Sequence, residues 1–167
     1  VPSPILPLLV FPLLLLLGIA PVAAGCTDSP APRVDWRRCL QDGQDLQGVD
    51  LTGAVLRDAS FARAILRGAK LAGVEAPEAR FTSADLAGAD LSRANLRGAD
   101  FTRTTLRGAK LAGADLRRAR FFNADLTDAD LSGALLTGAD LSTAVLDHAL
   151  WVDGVKRCAA ASTGSCQ

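Results

Sequence analysis

The sequence predicts an all-β solenoid of four-sided coils, twenty residues to the coil, and three observations carry that expectation. From Leu46 onward a large apolar residue recurs every fifth place, through Leu51, Leu56, Phe61 and Leu66 to Trp151, with Ala76 as the exception. Phe61, Phe81, Phe101 and Phe121 stand twenty residues apart. Outward charges alternate in sign at the same interval: Asp50, Lys70, Asp90, Lys110 and Asp130 form one column, and Arg80, Asp100, Arg120 and Asp140 another.

A period of five fits no helix, because at ~100° per residue such positions drift around the axis and leave no stripe. In extended chain, residues two apart share a face. Each leucine and the small residue two places before it, as in Ala84 and Leu86, therefore point inward together, with the residue between them outward. The two residues after the leucine turn a corner, so one block is one side of a coil. The phenylalanines set the number of sides at four, since only that number stacks them in a single interior column at the ~4.8 Å strand spacing. The charge columns agree: opposite charges facing each other on adjacent strands are mildly favourable, whereas like charges repel. The octapeptide LRGAKLAG occurs at 66–73 and again at 106–113, and an offset of two coils preserves both patterns.

Residues 1–25 are expected to be a signal peptide. From Ile5 to Ala24 no side chain is charged or strongly polar, and the run closes in Ala23, Ala24 and Gly25 before Cys26. An apolar core ending in small residues marks a secretory signal. The alternative is an uncleaved anchor, since ~20 apolar residues cross ~30 Å of hydrocarbon, although Pro7, Pro12 and Pro21 interrupt it as a helix. Either reading exports the remainder to the periplasm or cell envelope. The closing AAGC resembles the lipobox of bacterial lipoproteins, and that resemblance implies lipidation of Cys26 and a membrane tether. Ordinary cleavage near Ala24 would instead leave Cys26 a common thiol.

Residues 26–45 are read as a linker and N-terminal cap, with Trp36 over the first apolar layer, and 46–155 as a solenoid of about five coils. One segment, GVEAPEARF, departs from the pattern: Ala76 leaves a gap and Pro77 cannot donate to a ladder, so a loop, bulge or tolerated defect is expected there. Phe122 points outward beside Phe121. Arg97, Arg117 and Arg118 cluster on one wall with Asp115 on the same strand, which reads as a solvated face. Residues 156–167 form a tail in which Cys158 and Cys166, eight apart, are expected to close a disulfide in an oxidising compartment. Cys39 pairs with Cys26 or stays buried and free. No metal is expected, because more than five coils at ~4.8 Å, roughly 25 Å, separate Cys39 from the C-terminal pair.

The blocks ADLAG, ADLSR, ANLRG, ADLRR, ADLTD, ADLSG and ADLST resemble the A(D/N)LXX motif of the pentapeptide repeat proteins, over Leu46 to about Val155. The resemblance implies a right-handed quadrilateral β-helix and a module that serves as a partner-binding rod.

No catalytic residues and no cofactor are expected. His148, the single histidine, stands outward with Asp147 beside it, and neighbours in sequence do not assemble a nucleophile and base. A narrow interior of leucine, phenylalanine and alanine leaves no substrate pocket. The expected function is a non-enzymatic exported rod, structural or protein-binding, in the bacterial envelope, its binding residues unknown. An end-to-end homodimer is left open. The alternative, from the family, is a cytoplasmic DNA mimic that binds gyrase. Mimicry needs a strongly negative surface, yet 46–155 carries thirteen basic and fourteen acidic residues. The whole chain balances eighteen against eighteen, so no nucleic-acid partner is expected either.

Overall fold

The structure is a computed structural model that describes residues 25–167. The expected signal segment lies, apart from Gly25, outside the described residues. The chain winds into a four-sided coil in which each outward residue forms a parallel bridge with the one twenty places later, from Asp35–Val55 to Asp130–Leu150. Every side contributes one such bridge, too short for an extended strand. Side a is centred on Trp36, Leu56, Ala76, Leu96, Leu116 and Leu136, and side b on Gln41, Phe61, Phe81, Phe101, Phe121 and Leu141. Side c is centred on Leu46, Leu66, Leu86, Leu106, Leu126 and Leu146, and side d on Leu51, Leu71, Leu91, Leu111, Leu131 and Trp151.

One hydrogen-bond scheme repeats on every side. The central residue donates upward, as from Leu51 N to Lys70 O at 2.8 Å, and so does the second residue after it, from Gly53 N to Ala72 O at 2.9 Å. The outward residue donates downward, from Val55 N to Val34 O at 2.9 Å, and Ala54 N closes the corner onto Leu51 O at 2.9 Å. The corner's third residue has positive φ throughout, such as 65° at Gly53 and 56° at Asn123, which explains the glycines, asparagine and aspartates there.

Only the N–H of the residue just after the centre has no place in this ladder. The preceding aspartate takes it: Thr52 N donates to Asp50 Oδ1 at 3.0 Å, Ser92 N to Asp90 at 3.0 Å and Thr102 N to Asp100 at 2.9 Å. The aspartate before each leucine is thus a turn-forming residue first and a surface charge second.

The interior is filled. Phe61, Phe81, Phe101 and Phe121 are fully buried and stack nearly parallel, with centroids 5.3, 5.1 and 5.1 Å apart. Thr104 replaces an alanine without leaving an orphaned hydroxyl, because its Oγ1 donates to Phe81 O at 2.6 Å. Both charge columns lie in register, on opposite sides d and b. Ion pairs close at Lys70–Asp50, 3.6 Å, and Arg120–Asp100, 2.9 Å, and such exposed pairs contribute little each.

Two expectations are corrected. The segment around Ala76 is neither loop nor bulge: Glu75 bridges both Val55 and Asn95, and Ala76 N reaches Asn95 O at 2.8 Å. Val74, two places earlier and facing the same interior, supplies volume that Ala76 lacks, and both are fully buried. Pro77 occupies the corner position whose N–H the ladder never uses, while its carbonyl still accepts from Asp58 N at 3.1 Å. Proline is favoured at the second place of a turn whose third residue has positive φ. The coil also begins half a turn before Leu46, since Asp35, Leu40 and Asp45 already bridge the next coil. Trp36 is accordingly a side-centre residue, 1% exposed, with its ring 6.4 Å from that of Phe61.

Candidate functional site

A filled coil offers chemistry only on its faces, corners and ends. At the N-terminal end, residues 25–30 cross the opening as a strap. A Cys26–Cys39 disulfide with a Cα–Cα distance of 5.3 Å holds it, and Gln41 Nε2 donates to Cys26 O at 3.1 Å. Between strap and coil lies an open depression of about 520 Å³ lined by Thr27, Asp28, Trp36, Leu40, Gln41 and Gln44, among others. The Trp36 Nε1–H is buried and has no partner among the described residues. The Cys26 sulfur, to which lipid attachment was assigned from the sequence, is here joined to Cys39, and one sulfur cannot carry both bonds.

At the C-terminal end the tail folds back antiparallel, with Val145 bridging Thr163 and Leu150 bridging Arg157. Leu146 N donates to Ser162 O at 2.8 Å, His148 N to Cys158 O at 3.1 Å and Trp151 N to Lys156 O at 2.8 Å. Cys158 and Cys166 are joined across a Cα–Cα distance of 4.8 Å. This tail covers sides c and d only. On sides a and b the N–H groups of Leu136, Gly138, Leu141 and Thr143 have no hydrogen-bond acceptor among the described residues. Beside them Leu135 is 50% exposed, and Leu136 and Leu141 are half-buried. An unpaired edge flanked by apolar side chains is a ready template for a further strand.

His148 lies on the exposed third position of the last corner, φ 58°, and makes no hydrogen bond to Asp147 among the described residues. Phe122 is 46% exposed on the corner after side b. Among the turn aspartates, Asp50, Asp90, Asp100 and Asp140 have lowered pKa values. At Asp50, Asp90 and Asp140 the chief cause is the side-chain hydrogen bond from Thr52, Ser92 and Ser142. At Asp100 burial pushes upward, but the hydrogen bonds of Thr102 and the charge of Arg120 outweigh it. These shifts stabilise corners and are scattered over several walls, so they define no acid–base pair. From the sequence the ends carried two signals, a tryptophan ahead of the repeats at Trp36 and two cysteine pairs flanking a periodic core.

Comparison with known proteins follows this geometry. The family described as pentapeptide repeats matches in eight copies, over residues 45–82, 77–113, 99–138 and 124–149. Among solved structures, a pentapeptide repeat protein from the thylakoid lumen of Arabidopsis thaliana is 33% identical, with 74% of this chain and 83% of that one covered and a TM-score of 0.38. One from the cyanobacterium Cyanothece is 25% identical, with 71% and 90% covered and a TM-score of 0.43. The plasmid-mediated fluoroquinolone resistance protein QnrB1 is 22% identical, with 71% and 66% covered and a TM-score of 0.46. Among curated proteins none is significantly similar in sequence. With its twenty-residue ladder, its phenylalanine column and the family match over most of its coil, this chain belongs to the pentapeptide repeat family, whose fold is the right-handed quadrilateral β-helix.

Proposed function

We propose that the protein is a non-enzymatic, exported rod of the bacterial envelope that binds a protein partner. The observation that carries this reading is the pairing of a filled interior with disulfides at both ends of the coil. A core of leucine, phenylalanine and alanine at 0% exposure gives no substrate a place to bind. Disulfides persist in oxidising compartments, which supports export. The open edge on sides a and b is suited to receive a partner's strand, because it presents main-chain donors beside apolar side chains.

The test is fractionation of cells expressing the full chain, with a thiol-reactive mass tag applied before and after reduction. The expected result is protein in the envelope fraction whose Cys158 and Cys166 react only after reduction, with Cys39 doing so too where it is linked to Cys26. Cytoplasmic protein with freely reacting thiols would overturn the reading. The mass of the mature N-terminus separates the two fates of Cys26: a diacylglyceryl adduct marks a lipoprotein, a link to Cys39 a disulfide-held strap. The DNA-mimic alternative gains nothing from the surface, where opposite charges alternate on sides b and d. Inhibition or protection in a gyrase supercoiling assay would restore it.

A further inference from the structure

We infer that the corner between sides a and b binds a linear, phosphate-bearing polyanion. The second place of that corner's turn is occupied, coil after coil, by Arg37, Arg57, Pro77, Arg97 and Arg117, and the third place adds Arg118 and Arg38, the latter 4.0 Å from Asp58. The six arginines face two carboxylates in the same columns, Asp58 and Glu78. On sides b and d opposite charges alternate from coil to coil; here one sign repeats. Stacked like charges oppose folding, and a local feature that opposes folding is where function is to be sought.

The internal pairing points the same way. Arg37 is held by Asp35 of its own strand, Nε–Oδ1 2.9 Å and Nη2–Oδ2 2.5 Å, and Arg117 by Asp115 at 2.8 and 2.5 Å. At the equivalent places before Arg57 and Arg97 stand Val55 and Asn95, which carry no charge. Among the described residues neither arginine has a carboxylate within ion-pair distance, and both are exposed. The nearby Glu75 accepts from Asn95 Nδ2 at 2.8 Å. Arg37, Arg38 and Arg57 also line a depression of about 300 Å³.

Guanidinium forks match phosphate oxygens in pairs. The row runs along the coil axis for roughly 19 Å from Arg37 to Arg117 at ~4.8 Å per coil, a shape that suits a chain of phosphates. The molecule as a whole is neutral, so the attraction is local and steeply salt-dependent.

The test uses the full chain and inorganic polyphosphate, with affinity measured by calorimetry across salt concentrations from about 50 mM upward. The expected result is an affinity that falls with salt. The variant R57Q/R97Q should bind roughly tenfold or more weakly at low salt, with a salt slope shallower by about one per arginine removed. The control R63Q/R103Q, on the next corner, should bind as the unaltered chain does. Unchanged binding by R57Q/R97Q, or equal loss in the control, would overturn the assignment. So would inorganic phosphate binding as tightly as the polymer, which would indicate a single-anion recess. Binding to phosphatidylglycerol vesicles without binding to polyphosphate would move the ligand to a lipid surface and overturn it as well.

Discussion

The two ends of the coil face one problem and solve it differently. At both, a turn of the ladder has no neighbour, so main-chain groups and the last apolar layer meet water. At the N-terminal end a short strap crosses the opening, tied by Cys26–Cys39, and Trp36 fills the space beneath it at 1% exposure. At the C-terminal end a hairpin-like tail, tied by Cys158–Cys166, pairs with sides c and d and leaves sides a and b uncovered. Trp151 there is only half-buried. The lesson is that a solenoid's stability and its availability for partners are set at its ends by residues outside the repeat. The first end has a strap tied over its core, and the second has a tail that pairs with half of its edge.

Tryptophan truncation is the strongest way to break this contrast. Trp36→Ala should cost about 3–5 kcal/mol, the range for removing a buried aromatic, and Trp151→Ala clearly less; equal losses in chemical denaturation would erase the distinction. Trp36→Phe should be tolerated far better, because the Nε1–H it removes has no partner among the described residues. Next come the disulfides. Cys26→Ser and Cys166→Ser, both at the more exposed cysteine of a pair, should each cost about 2–3 kcal/mol, the shorter eight-residue link at the lower end. Amide exchange should then rise around Trp36 in the first variant and around residues 145–150 in the second, with the far end unaffected.

The middle of the coil provides the baseline. Restoring the repeat's usual leucine by Ala76→Leu should destabilise by about 1–3 kcal/mol, because Val74 already adds interior volume beside Ala76. A gain in melting temperature would show that a cavity had been overlooked.

The smallest effect expected is that of acid. Asp50, Asp90 and Asp140 have folded pKa values below the ordinary aspartate value of about 3.9, chiefly through hydrogen bonds such as that from Ser92 to Asp90. Their contribution is therefore fully present above that value and lost as pH falls through the lower folded values. Thermal melts from about pH 5 down to about pH 2 should show a progressive decline. A melting temperature independent of pH over this window would mean that the corners do not depend on ionised aspartate.

What could be read from the amino-acid sequence was whatever repeats. Phe61, Phe81, Phe101 and Phe121 fix four sides because only stacking twenty residues apart puts their rings in contact, and the structure has those rings about 5 Å apart. The Ala76 segment could be read only as a loop, bulge or tolerated defect, because its compensation is not periodic. Val74 shifts volume two places along the strand, and Pro77 is harmless only once the ladder reveals which N–H goes unused. The arginine corner was visible as Arg97, Arg117 and Arg118, but not as a column reaching Arg37, because the coil's start before Leu46 was hidden.

By itself, then, the sequence determined the period, the number of sides and the contents of the core, because stacking repeats any favourable contact at every coil and so writes it into the chain many times over. Only the tertiary structure decided how the ends close, which half of one end stays open, and which arginines lack a carboxylate. Each of those rests on a contact made once, between residues whose separation in the chain follows no rule.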